Sequence, residues 1–161
     1  KIADPFDYGG GNINPDKAAD PGLVYDIDPK DYQEFNCSWK VVLVCETLQR
    51  PVYHLNLPSV SIPNLKTTVT VSRTVTNVGA AVGTYKAIIE PPPGIEMGVH
   101  PSTLVFDADT RTHTFNITLS SIREVQGIFT FGSLTWKDKT HQVRIPIAVR
   151  PVVKDFYADV A

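Results

Sequence analysis

Hydrophobic and polar positions alternate along most of the chain beyond residue 52. The alternation is sharpest over residues 68–79, T-V-T-V-S-R-T-V-T-N-V-G. A period of two places Val69, Val71 and Val75 on one face and Thr68, Thr70, Thr74 and Thr76 on the other. β-Branched side chains also favour the extended backbone, so pattern and propensity agree. Asn77 and Gly79 punctuate the run. It predicts a long half-buried strand, the spine of an antiparallel sandwich. Arg73 breaks the apolar face, and two readings are open for it. It is either a rim arginine with a buried stem and a solvated head, or one half of an ion pair to a neighbouring domain.

Further strands follow at short intervals with turn signals between them. Residues 55–62 read as a first strand, placed at an edge by their prolines. Residues 83–90 form a third, with Tyr85, Ala87 and Ile89 on one face. Pro91-Pro92-Pro93-Gly94 is a rigid turn. Ile95, Met97 and Val99 alternate in a fourth strand, and Leu104 and Phe106 mark a fifth. In residues 112–119, Phe115, Ile117 and Leu119 point inward, and Thr114, Asn116 and Thr118 point outward. His113 is read as outward too. Residues 128–136 and 141–149 complete the pattern, and Pro146 makes the last an edge or bulged strand. The fold class expected is mainly β. It is a seven- to eight-stranded antiparallel β-sandwich of the fibronectin III kind, preceded by a loop-rich segment with short helices.

That segment occupies residues 1–51. Gly9-Gly10-Gly11 lacks the spacing and the lysine of a phosphate-binding loop, and reads as an ordinary loop. Asn14-Pro15 gives a cap and a first helical position for a helix ending at Ala19, stopped by Asp20-Pro21-Gly22. Asp28-Pro29 opens another, with Tyr32 and Phe35 three apart on one face. Val41 to Val44 is too short an apolar run to assign. The segment cannot build a core alone. The division expected is therefore 1–51, a sandwich over 52–150, and a tail over 151–161.

The 161 residues carry 15 basic and 17 acidic side chains, a net charge of -2. That balance gives no reason to expect nucleic acid or an anionic membrane as partner. The charge is uneven: residues 1–51 hold nine acids and five bases, and residues 52–161 hold eight acids and ten bases, which supports two units. No apolar run is long enough to span a bilayer. The start, Lys-Ile-Ala-Asp-Pro, reads as the middle of something longer. The two cysteines, Cys37 and Cys45, close a short loop. A disulfide there would contribute about 2.5 kcal/mol, and a pair of thiols is the alternative. No metal site is expected, because no ligand spacing accompanies them. Two sequons, Asn36-Cys37-Ser38 and Asn116-Ile117-Thr118, join the even cysteine count in pointing to a secreted protein. The strand phase puts Asn116 on the solvent face, open to a glycan.

Residues 4–26, D-P-F-D-Y-G-G-G-N-I-N-P-D-K-A-A-D-P-G-L-V-Y-D, resemble the segment that ends the catalytic domain of plant subtilisin-like serine proteases of the cucumisin type. Asp31-Tyr32, Phe35 and Cys37 match the D-Y-x-x-F-x-C that follows in that family. The resemblance continues through Leu55-Asn56-Leu57-Pro58-Ser59, the T-V-S-R-T-V-T-N-V-G run, Gly132-Ser133-Leu134-x-Trp136-x-Asp138, and His141-x-Val143-Arg144. Leu57 replaces a usual tyrosine, and Lys139 a usual glycine.

The resemblance implies the end of a catalytic domain followed by a fibronectin-like domain. The aspartate, histidine and serine motifs of subtilase chemistry do not occur here, so no catalytic residue carries over. Ser133 stands in a strand pattern. His54, His100, His113 and His141 show no ligand spacing. No cofactor is implied. The expected role is to stabilise the catalytic domain and to mediate interdomain or dimer contacts. The partners the resemblance implies are the catalytic portion of the same protease and, in a homodimer, a second copy. Phe6, Tyr8, Tyr25 and Tyr32 would be exposed contact residues, with Arg73 as the charged one. The alternative role is a free-standing extracellular sandwich that holds a protein or a glycan, with Trp39 and Trp136 as candidate aromatics. An enzyme in its own right is the remotest reading.

Overall fold

The computed structural model describes residues 2–38, 51–122 and 127–152. Helix α1 (Pro5–Tyr8) is capped by Asp4, whose carboxylate accepts from Phe6 N while Asp7 accepts from Asp4 N. Helix α2 (Pro15–Ala19) starts at the expected place, with Asn14 Oδ1 accepting from Lys17 N. The two-residue strand β1 (Leu23–Val24) and helix α3 (Pro29–Ser38) follow. A single 3₁₀ turn, Val52–His54, precedes β2 (Val60–Leu65), β3 (Thr68–Asn77), β4 (Gly83–Glu90) and β5 (Ile95–His100). Then come β6 (Thr103–Phe106), β7 (Thr112–Ser121), β8 (Thr130–Lys137) and β9 (Gln142–Pro151).

These strands make two sheets, ordered β1-β3-β7-β5 and β2-β9-β8-β4-β6. The β3–β7 pair is the spine, in register from Thr68 opposite Ser120 to Thr76 opposite Thr112. Val71, Val75, Phe115, Ile117 and Leu119 face Tyr85, Phe106, Leu134, Trp136, Ile145 and Ile147 of the other sheet, all buried. Phe115 and Trp136 meet edge to face, with ring centroids 4.9 Å apart. Such a pair adds about 0.5–1.5 kcal/mol beyond the area it buries. The sandwich is of the expected class, and the inward rows of β3, β4 and β7 are the expected ones.

Four details differ. Residues 55–59 are not strand. Pro58 has no donor for a ladder, and the Leu57 and Ser59 carbonyls turn to Arg73. The Asn56 amide instead bonds both the N–H and the carbonyl of Thr74, standing in for a strand partner along β3. The first long edge strand is therefore β2, and it pairs with β9 in parallel rather than antiparallel. Strand β9 is not an edge, because β8 flanks it on one side and β2 on the other. Pro146 fits there because pairing to β2 begins one residue later, at Ile147 opposite Val60. His113 faces inward, in phase with Phe115, and its Nε2 lies 2.7 Å from the Val105 carbonyl oxygen. Its ring packs edge-on against Phe106.

Candidate functional site

Two side-chain clusters join the first segment to the sandwich. The first centres on His141, at the end of the β8–β9 turn. Asp138 organises that turn by accepting from the backbone N–H groups of Thr140 and His141. The imidazole is then held between two carboxylates. Nδ1 lies 3.0 Å from Asp138 Oδ2, and Nε2 lies 3.1 Å from Asp20 Oδ2. Asp20 comes from the Asp20-Pro21-Gly22 stop after α2, so the contact ties the two parts of the chain together. Gly22 has φ of +74°. A Cβ there would come within 2.6 Å of the Tyr85 hydroxyl and 2.8 Å of His141 Cγ. Glycine at this position both permits the turn and lets the backbone approach. The Gly22 carbonyl accepts from Val78 N, and Leu23 enters the core.

The electrostatics follow from the geometry. The hydrogen bond to Asp138, with the Asp20 carboxylate behind it, raises the His141 pKa and favours the charged ring. Burial works to raise the Asp138 pKa, but the donors from His141 and Thr140 outweigh it and bring the carboxyl to about 2. Burial, reinforced by Asp138, pushes the Tyr85 hydroxyl up to about 12.

A hydrolytic centre needs a hydroxyl on one imidazole nitrogen and a carboxylate on the other. Here the Thr140 hydroxyl and Asp138 both meet Nδ1, and Nε2 is taken by a second carboxylate. The hydroxyl and a carboxylate thus share one ring nitrogen instead of flanking the ring, which is not the arrangement that activates a nucleophile. Ser133 is buried in β8 with its hydroxyl donating to Glu90.

The second cluster centres on Arg73. It is only 1% exposed, so its head is not in water. Nε donates to the Leu57 carbonyl, Nη1 to Ser72, and Nη2 to Tyr53 and Ser59. This corrects the rim reading. Backbone oxygens freed by the irregular 51–59 stretch draw the guanidinium inside. Burial pulls its pKa down to about 10, with the Tyr25 hydroxyl acting the other way. Tyr25 is likewise not exposed. It packs on the core beside Arg73, its hydroxyl is buried, and burial raises its pKa.

Of the other candidate contact residues, Phe6, Tyr8 and Tyr32 are 58%, 46% and 56% exposed. Phe6 nevertheless meets Phe129 and Phe131 edge-on, at 4.9 and 5.5 Å between centroids. Asn116 is exposed on β7. Trp39 and Cys45 lie outside the described residues, and with Cys45 so does the Cys37–Cys45 pairing. Sequence reasoning gave Asp20 and Asp138 no site role and found no ligand spacing at His141. The available signals were a D-P-G stop and a W-x-D-x-x-H turn, more than a hundred residues apart.

Known proteins place these features. The fibronectin type-III domain family matches residues 54–149. Subtilisin-like protease SBT3.5 of Arabidopsis thaliana is 46% identical over 170 residues, spanning 99% of this chain and 22% of that protein. SBT3.4 and SBT3.2 of the same plant are 45% and 46% identical, with 99% of this chain covered in each case. The chain thus spans about a fifth of the length of the curated relatives it matches. Because the similarity runs through the docked segment as well as the sandwich, the chain belongs to the fibronectin type-III domain family in the form found in plant subtilisin-like proteases.

Proposed function

We propose that the chain is the non-catalytic C-terminal region of a secreted, extracellular subtilisin-like serine endopeptidase. Its sandwich stabilises the catalytic domain through the segment docked on it. The observation that carries this reading is the insertion of that segment. Leu23 is 3% exposed in the sandwich core, β1 extends the four-stranded sheet beside Asn77 and Thr76, and Asp20 closes the His141 cluster. Pulling the segment away would expose core surface and strip the His141 ring of one of its carboxylates, so its position is coupled to the integrity of the sandwich.

The exposed aromatics Phe6, Tyr8 and Tyr32 supply the contact surface for the catalytic portion of the same protease or for a second copy. The hydrolytic serine, histidine and aspartate would lie elsewhere in the parent protein. Deleting residues 60–151 from the full protease should shorten the half-life of its activity on warming and lower its yield in the culture medium. A truncated enzyme with the parent's half-life and yield would overturn the reading.

A further inference from the structure

We propose that the outer face of the four-stranded sheet is a glycan-bearing, solvent-facing surface, with Asn116 as the attachment point. This face takes no part in docking the rest of the protease. The inference rests on the secreted reading above, because oligosaccharide transfer belongs to the secretory pathway.

The face is made of paired hydroxyls. Thr68 meets Ser120 at 3.0 Å, Thr70 meets Thr118 at 2.9 Å, Thr74 meets Thr114 at 2.9 Å, and Thr76 meets Thr112 at 3.4 Å. Ser72 and Asn116 fill the middle rung, with the Ser72 hydroxyl donating to Asn116 Oδ1. Contact surfaces between proteins concentrate aromatic and aliphatic side chains at their centre. Within strands β1, β3, β5 and β7 no large hydrophobic is left exposed on this face, and Val78 and Ile122, 48% and 65% exposed, stand only at its ends, just past β3 and β7. Ile88 and Val105, 45% and 57% exposed, belong to the opposite sheet.

The sequon fits the strand phase. Asn116 and Thr118 are two residues apart and both point outward, while Ile117 between them is buried in the core. Oδ1 is turned to Ser72, and the Nδ2 that carries a glycan makes no hydrogen bond among the described residues. Toward β5 the surface is open. Gly98 stands opposite Thr118, and a Cβ there would meet no atom within 4 Å. His100 stands opposite Asn116 and is exposed.

The chemistry needs a lipid-linked oligosaccharide diphosphate as donor. Asn116 Nδ2 attacks the anomeric carbon, an N–C bond forms, and the C–O bond to the diphosphate breaks. The lipid diphosphate leaves with the bonding pair, and the amide nitrogen loses one proton. A face with this attachment is kept wet, which directs docking to the segment and to the other sheet.

The full protease, placed behind the signal peptide of an established secreted protein, tests this in microsome-supplemented translation. Forced entry separates the outcome from whether the parent is secreted by itself. With Asn36→Gln in the background, this site should keep a gel shift of one oligosaccharide, and Asn116→Gln or Thr118→Ala should remove it. Absence of the shift before either change overturns the attachment. A site-resolved readout then tests the placement on the folded protease. Endoglycosidase should strip the Asn116 peptide as completely under native conditions as after denaturation. A glycan released only after denaturation would mean that another part of the protein covers the face, and would overturn its solvent-facing role.

Discussion

At the scale of single residues, Arg73 is the most instructive. Its charge is buried on four backbone oxygens, and each hydrogen bond of a charged donor is worth about 1.5–3 kcal/mol. Arg73→Met fills the volume but abandons the acceptors, of which some regain water. It should lower unfolding free energy by about 3 kcal/mol in a chemical-denaturation series. Arg73→Lys keeps the charge but not the planar fork, and should recover only part of that loss. A loss below 1 kcal/mol for the methionine variant would show that the oxygens have other donors. Phe115→Ala is the apolar counterpart. The side chain is fully buried against Trp136, and its removal should lower stability by about 3–5 kcal/mol. A denaturation midpoint near the parent's would contradict the packing.

At the scale of elements, the β8–β9 turn and the loop before β1 make a pH-sensitive joint. The folded pKa of His141 lies above the ordinary 6.5. Its contribution to stability is therefore full below about pH 6.5, and it is lost as pH rises through the folded value. Asp138 works in the opposite sense. Its contribution is present above its ordinary 3.8 and fades as pH falls toward about 2. The charged groups around the joint are Asp20, Asp138, Lys17, Lys139 and Arg144, with the Tyr85 hydroxyl neutral up to about pH 12. Thermal midpoints of wild type and His141→Gln should differ most below about pH 6.5 and converge as pH rises through the ring's folded value. A constant gap across that range would show that the ring's charge plays no part. Gly22→Ala strains φ and collides with Tyr85 and His141, so it should lose about 1–3 kcal/mol at every pH. Much of the architecture around this joint was legible beforehand. Alternation in β3 and β7 announced a sandwich because a period of two has one physical meaning when half of the positions are apolar. The caps at Asn14 and Asp28 were local hydrogen bonds, readable from neighbours. The joint was not legible. Asp20 and His141 owe their contact to β1 pairing with β3, a placement that no local pattern encodes. Arg73 was misread for the same reason, since its acceptors come from a proline-punctuated stretch whose path depends on the whole sandwich.

At the scale of the whole molecule, hydrophobic exposure is unevenly distributed. The four-stranded sheet presents hydroxyls, whereas Phe6, Tyr8 and Tyr32 on the docked segment and Ile88 and Val105 on the five-stranded sheet remain uncovered. Large apolar side chains left in water beside one another favour association. The relatives are about five times longer than this chain, so much of the surface such a segment meets would come from the remainder of a protease. Separated from that remainder, the chain should self-associate, with a light-scattering mass that rises with concentration. Tyr8→Ser with Tyr32→Ser should bring it toward the monomer mass without lowering the thermal midpoint by more than a degree or two, because both rings are about half exposed. The same double change should weaken its capture by a protease truncated before residue 60. Self-association that survives the double change, but yields to Ile88→Ser with Val105→Ser, would move the contact surface to the five-stranded sheet. A concentration-independent monomer that also ignores the truncated protease would remove the docked segment from the interface altogether.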